Sequence, residues 1–362
     1  MKSFYHNLFS ENLTIPDCLK PNYLPGLDGL RALSIIIVLA GHFFMNTNYR
    51  DTFVGSIGVD IFFVISGFLI TSLLLKEKVN TGKISLKRFY LRRVIRIIPV
   101  GYLFILTLIL LNSILKLNIQ AHSFVSSALF LQNIPHISGY NWYVQHYWSL
   151  SVEEQFYLLF PFLLAYRLKV YVQIIITLII FVVIVEYLGF NNIGVFSSNA
   201  FVHIGAFIVI NLFGFTVPIL IGSLFAILLF KEVLSTNDTP FLRWLSLILI
   251  ILAFLIRIDS SPLNIPYSRL FLFPALVAYV IVLNLNKKST LSIFLNRPIL
   301  TYIGKLSYSI YIWQQLFSNL LYSIVGESIW LRLLTIMTVS VISFHLYEKQ
   351  FLKLKRHFAA KF

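Results

Sequence analysis

The chain has 362 residues, of which 58% are hydrophobic and only 12% charged, and its mean hydropathy is +0.83. Soluble domains average about 45–50% apolar and about 25% charged residues, so a soluble fold, a disordered chain and a disulfide scaffold are all excluded. A net charge of +15 in such a chain is the Lys and Arg excess of cytoplasmic loops and implies no nucleic-acid partner, while the lone Cys18 excludes an intrachain disulfide.

A helix needs ~20 mostly apolar residues to cross ~30 Å of hydrocarbon. Ten segments approach that measure, at about 29–46, 57–75, 97–116, 148–166, 171–189, 205–230, 244–257, 268–286, 299–321 and 328–346. They predict an all-α, polytopic membrane bundle of about ten transmembrane helices in one domain spanning 1–362. The first segment is no signal peptide, because it keeps Arg31 and His42 and lacks a small-residue cleavage pattern. With the N-terminus inside, the outer segments hold only Arg50, Lys116, Arg257, Arg269 and Arg332 of the 29 Lys and Arg, and Arg31 opens a span. That asymmetry predicts that both termini are cytoplasmic.

An ionisable group inside a span costs at least ~2.5–3.5 kcal/mol, so each one needs a reason. In the first span Arg31 and His42 are eleven residues apart, which returns to nearly the same helix face about 16 Å further along. Singly they read as a snorkelling Arg and a hydrogen-bonded core His; together they predict a polar cavity. In the second span Asp60, Gly67 and Thr71 share a face, and Gly67 lets a backbone or a ligand come close. The other reading of Asp60 is an interfacial carboxylate beside a packing seam.

Next comes the most basic stretch, Lys76 to Arg96, expected as a loop. Arg93 and Arg96, at i and i+3 beside Arg92, project together and suit phosphate oxygens, unless they are ordinary cytoplasmic-side charge or contact anionic lipid. The fourth span opens His146-Tyr147-Trp148-Ser149-Leu150-Ser151-Val152-Glu153-Glu154-Gln155-Phe156-Tyr157. There His146, Glu153 and Tyr157 share a helical face, with Ser149 beside them. Two adjacent carboxylates cannot both face lipid cheaply, so a functional role is expected. Glu186 and His203 are read as structural. No Gly-rich phosphate loop and no His pair at i, i+4 occurs, so no metal site is expected.

At these residues the sequence resembles the acyltransferase 3 family, integral-membrane enzymes that move acyl groups, usually acetyl, onto bacterial envelope sugars. The matching blocks are Tyr23-Leu-Pro-Gly-Leu-Asp-Gly-Leu-Arg31 with His42, Gly58-Val-Asp-Ile-Phe-Phe-Val-Ile-Ser-Gly-Phe68, Arg93-Val-Ile-Arg96, Trp148-Ser-Leu-Ser-Val-Glu-Glu-Gln-Phe-Tyr157 and a weaker Gly304-Lys-Leu-Ser-Tyr-Ser-Ile-Tyr-Ile-Trp313. They run in family order over most of the chain. Two departures stand out: Gln314 follows Trp313 where the family usually has His, and Glu348 is followed by Lys349-Gln350 where a Pro is common. Some relatives carry a fused extracytoplasmic hydrolase-like domain, which is not expected in this chain.

The resemblance implies a multi-pass enzyme of the bacterial inner (cytoplasmic) membrane, with acetyl-CoA as donor and no tightly bound cofactor. The acceptor it implies is a hydroxyl of a lipid-linked glycan or surface polysaccharide such as O-antigen, capsule or exopolysaccharide. His42, Arg31 and Glu153 are the expected catalytic group, with His42 as general base. Arg93 and Arg96 are expected on the CoA phosphates. Asp60, Ser66, His146, Trp148, Glu154 and Tyr157 are the remaining expected binding residues. Two rivals stay open, a transporter or flippase of glycan intermediates and an inactive scaffold of the same fold. Nothing in the sequence fixes the oligomeric state.

Overall fold

The structure is a computed structural model; it describes residues 11–21, 23–45, 47, 54–134, 141–191, 193, 205, 213–234, 240–258, 261–265, 268–285 and 289–354. Lys2, Arg50, His203, Lys287, Lys288, Lys355, Arg356 and Lys361 lie outside them. Among the described residues there are helices and turns and no strand. In chain order the helices are α1 (Pro25–Phe44), α2 (Gly55–Thr81), α3 (Leu86–Leu115), α4 (Ala121–Ala128) and α5 (Trp142–Gln145). There follow α6 (Tyr147–Tyr166), α7 (Leu168–Phe190), α8 (Val217–Phe230), α9 (Pro240–Arg257) and α10 (Leu272–Asn284). The last are α11 (Thr290–Leu295), α12 (Pro298–Trp313), α13 (Ile329–Ile342) and α14 (Lys349–Leu354).

Five described helices are long and apolar enough to cross a membrane: Pro25–Phe44, Gly55–Thr81, Leu86–Leu115, Leu168–Gly189 and Ile329–Leu354. Gly214–Phe230 and Leu272–Asn284 are shorter apolar helices. The other expected spans correspond to α6, α9 and α12. The chain is a multi-pass membrane protein. Residues 206–212 of the sixth expected span lie outside the described residues.

The largest departure from the sequence reading is the basic stretch. It is no open loop: Lys76 and Lys78 ride on the last turns of α2, and Arg88 to Arg96 occupy the first three turns of α3. Gly82, at φ 74°, caps α2 in the left-handed conformation that a residue with a Cβ resists, and its N–H bonds the Lys78 carbonyl. The helix continues through the basic stretch because its guanidinium groups find partners, Arg92 on Glu77 and Arg93 over the Tyr157 and Phe89 rings. The ninth expected span is cut short at Trp313, where a 3₁₀ turn of Gln314–Leu316 follows. The tenth runs on through a π-helical turn at Ser343–Glu348 into α14. Such turns favour functional sites.

α12, α1, α2 and α8 pack in that order through the middle of the bundle. The α2–α8 crossing is a backbone contact. A Cβ at Gly67 would overlap the Ile219 carbonyl, and one at Gly222 would overlap the Val64 carbonyl. Small residues permit this approach, as in membrane helix pairs generally. Thr71 then donates a 2.7 Å hydrogen bond to Ser223. Gly304 of α12 has the same role against the Asp28 carbonyl of α1.

The two ends of the bundle differ. At one end residues 11–19 gather the end of α2, the start of α7 and the end of α8. Lys78 bonds the Glu11 carboxylate at 2.9 Å, the Lys169 N–H reaches Glu11 at 3.3 Å, Lys76 bonds the Leu19 carbonyl at 2.8 Å, and the Thr14 N–H bonds the Phe230 carbonyl. At the other end Arg257 lies 3.8 Å from Asp60 and donates to Ser56, while Arg269 pairs with Glu186.

Candidate active site

Five helices contribute to one cleft. α1 supplies Arg31; α2 supplies Val59, Phe62, Phe63 and Ser66; α3 supplies Arg93, Arg96 and Ile97. α6 adds Ser149, Leu150, Glu153 and Tyr157, and α12 adds Ser307, Tyr308 and Tyr311. Three guanidinium groups and one carboxylate therefore share an aromatic-walled space inside an otherwise apolar bundle. Such groups are retained within a membrane when they pair with each other or meet a polar ligand.

Arg31, Glu153 and Arg93 each have a mount. Asp28, three residues before Arg31 on α1, accepts from Arg31 Nη1 at 3.0 Å and from the Tyr23 hydroxyl at 2.9 Å. Ser66 donates to Glu153 Oε1 at 2.7 Å, and Tyr157 donates to the other oxygen at 3.4 Å. The Arg93 guanidinium lies over the Tyr157 ring at 5.0 Å and the Phe89 ring at 5.6 Å. Its Nε is buried with no hydrogen-bond partner among the described residues. A cation held by aromatic faces keeps donors for a ligand. Arg92, beside it in sequence, turns away to Glu77 at 3.5 Å.

The cleft wall is fixed by tyrosine hydroxyls on backbone carbonyls. Tyr308 bonds Ile97 and Tyr147 bonds Gly101, both at 2.7 Å, on either side of Pro99 in α3. Tyr311 hydrogen-bonds Ser149 and donates to the His146 carbonyl at 3.1 Å.

Of the expected site residues, Arg31, Ser66, Arg93, Arg96, Glu153 and Tyr157 meet in this cleft. The others stand apart. His42 lies farther along α1, with its Nδ1 2.7 Å from Gln314 Oε1 and its ring edge-on to Trp142 at 5.4 Å. His146 sits at the turn between α5 and α6 and is not among the residues lining the cleft. Its ring is buried against Phe104, Tyr147 and Tyr311. Among the described residues Glu153 bonds the hydroxyls of Ser66 and Tyr157 and no imidazole. Trp148 packs on Phe63 and Phe215. Glu154, one residue on from Glu153, is turned out of the cleft lining. Asp60 pairs with Arg257 at the far end and is not among the residues lining the cleft.

The sequence reading missed Ser307, Tyr308 and Tyr311. Their signal was a run of hydroxyls one turn apart in an apolar span, Ser307-Tyr308-Ser309-Ile310-Tyr311. It also missed the tie between His42 and Gln314, which are 272 residues apart.

The family comparison covers the cleft and its surroundings. A family model described as an acyltransferase domain, of the acyltransferase 3 type, matches residues 24–347. Two proteins named O-acetyltransferase OatA, from Staphylococcus aureus strains NCTC 8325 and COL, are 30% identical over 316 residues. A further Staphylococcus aureus strain COL protein, provisionally named an O-acetyltransferase, is 30% identical over 326 residues. Each match covers 81% of this chain and 50% of the relative, so the chain spans about half the length of the curated relatives it matches. No solved structure matches it. Over this match, with all five site-bearing helices inside it, the chain belongs to the acyltransferase 3 family.

Proposed function

We propose that the chain transfers an acetyl group from cytoplasmic acetyl-CoA to a hydroxyl of a surface polysaccharide or lipid-linked glycan, at the bacterial cytoplasmic membrane. The observation that carries this reading is the cleft: Arg31, Arg93 and Arg96 converge there, and α1 leads from Arg31 toward His42. Guanidinium groups suit the phosphates of a CoA donor, and aromatic walls suit its slender acyl-bearing arm. About eleven residues of helix separate Arg31 from His42, a rise of about 16 Å. A donor held by its phosphates at the arginine end would extend its thioester toward the imidazole.

In this reading a sugar hydroxyl, a poor nucleophile, gives its proton to neutral His42 as it attacks the thioester carbonyl. Arg31 stabilises negative charge within the cleft. Glu153, held by Ser66 and Tyr157, balances the guanidinium cluster. The names of the relatives support acetyl as the group transferred. Ten crossings with both termini cytoplasmic remain part of the proposal. It is supported by Lys76, Lys78 and Lys169 gathering at one end of the bundle.

Radiolabelled acetyl-CoA supplied to membranes bearing the protein tests the function. Label appearing on glycan is the expected result. Translocation of unmodified glycan with no labelled product would overturn it in favour of a flippase. Mass spectrometry of envelope glycans with and without the protein then identifies the sugar.

A further inference from the structure

The polar groups around His42 form a chain with a direction. Gln315 and Trp142 exchange two hydrogen bonds: the Gln315 side-chain Nε2 donates to the Trp142 backbone carbonyl at 2.6 Å, and the Trp142 indole Nε1 donates to the Gln315 backbone carbonyl at 2.9 Å. A carbonyl oxygen only accepts, so the Gln315 amide must turn its NH2 to Trp142 and its oxygen the other way. That oxygen faces Gln314 Nε2 at 3.0 Å. The Gln314 amide is thereby oriented too. Its own oxygen accepts from Ser318 Oγ at 2.8 Å and lies 2.7 Å from His42 Nδ1. Gln314 is fully buried and Gln315 nearly so, so neither amide can turn over without stranding a polar atom.

We propose that Gln314 and Gln315 are positioning residues, an amide relay anchored on the Trp142 carbonyl that holds His42 with its proton on Nδ1 and its lone pair on Nε2. The tautomer of a histidine is set by the bond its other nitrogen makes. An acceptor oxygen at Nδ1 selects Nδ1–H and fixes the ring plane, which the Trp142 edge contact also restrains. The inference rests on His42 being the base proposed above. There, Nε2 takes the hydroxyl proton as the acceptor oxygen bonds the acyl carbon. The C–S bond then breaks, and the proton passes to the departing thiolate, giving ester and free thiol. The relay accounts for Gln at position 314: an amide offers an acceptor to Nδ1 and a donor to the next amide at once. Among the described residues, the titratable and charged neighbours are His146, close enough to act on His42 electrostatically, and Arg332. Arg332 lies over the Phe43 ring at 5.1 Å and donates to the Ser318 carbonyl at 2.8 Å.

Nitrogen-15 NMR of histidine-labelled protein in lipid nanodiscs, with His42→Gln to assign the ring, reads the tautomer without any turnover. A neutral ring protonated on Nδ1 is expected, and a ring protonated on Nε2 overturns the proposal. Kinetics supply the second arm. Gln314→Leu should lower kcat about tenfold or more with the donor KM within about twofold. Gln314→Glu keeps the acceptor, so it should retain most of kcat and move the acid limb of the pH–rate profile to higher pH, since a carboxylate favours the imidazolium. Unchanged kcat and pH profile in Gln314→Leu also overturns the relay. Near-normal turnover in His42→Gln would instead overturn the base assignment and leave the NMR result standing.

Discussion

Ser66 of α2 donates a 2.7 Å hydrogen bond to Glu153 of α6, 87 residues later, and this contact ties the second helix to the carboxylate inside the guanidinium cluster. Hydrogen bonds to charged groups contribute roughly 1.5–3 kcal/mol. Ser66→Ala should therefore lower the unfolding temperature in detergent and cost less than tenfold in rate. Glu153→Gln keeps an acceptor for Ser66 but removes the charge that balances Arg93. It should cost at least tenfold more in rate than Ser66→Ala. Equal effects would reduce Glu153 to a structural hydrogen-bond acceptor.

The arginines separate donor binding from simple positive charge. Arg93→Ala and Arg96→Ala should each raise the acetyl-CoA KM roughly tenfold to a hundredfold. Arg92→Ala serves as the comparison, because Arg92 turns to Glu77 outside the cleft, and its KM should change by less than about threefold. Measured with radiolabelled donor, an unchanged KM in both cleft variants would return Arg93 and Arg96 to the ordinary excess of cytoplasmic-side charge.

His42→Ala should lower turnover by about two to four orders of magnitude, as expected on removing a general base. Folded protein and donor binding should survive, since the imidazole lies beyond the cleft that holds the arginines. Rate per folded molecule, quantified after size-exclusion chromatography, is the measurement. Near-normal turnover among the surviving molecules would make His42 a packing residue.

Part of this arrangement is readable from composition and periodicity: Arg31, Arg93, Arg96, Glu153 and Tyr157 stand out because ionisable and polar groups are costly in apolar helices. Ser66 is expected only from the family resemblance, and all six converge. The face shared by Asp60, Gly67 and Thr71 is also correct, but periodicity cannot say what covers a face. α8 covers Gly67 and Thr71, and Arg257 lies against Asp60. His42 illustrates the opposite limit. Its relation to Arg31 within one helix is legible, whereas its partner Gln314 arrives through tertiary packing. The tyrosines of α12 were hidden for a third reason: a Tyr in an aromatic-rich membrane chain carries no excess cost until its hydroxyl is seen to meet a carbonyl.

Topology is open to a direct test. In a Cys18→Ser background, Asn191→Cys should react with an impermeant thiol reagent in intact cells, and Lys83→Cys only after permeabilisation. The reverse pattern would invert the bundle, placing the arginine end of the cleft away from cytoplasmic CoA.

The glycine crossing of α2 on α8 also sets a schedule for biosynthesis. Thr71 and Ser223 meet across 152 residues of sequence, and at roughly 5–20 residues per second a ribosome needs on the order of ten to thirty seconds to supply that interval. During that wait Ser66, next to Gly67, has been made but lacks the neighbour that seats its helix. The nascent protein thus keeps an unseated second helix until α8 has entered the bilayer, and its reaction chamber is finished only later, when α12 arrives with Ser307, Tyr308 and Tyr311. Slow codons or a stalled ribosome between the two glycines would prolong the life of an inserted but inert intermediate, one offering a bare small-residue groove to quality-control proteases.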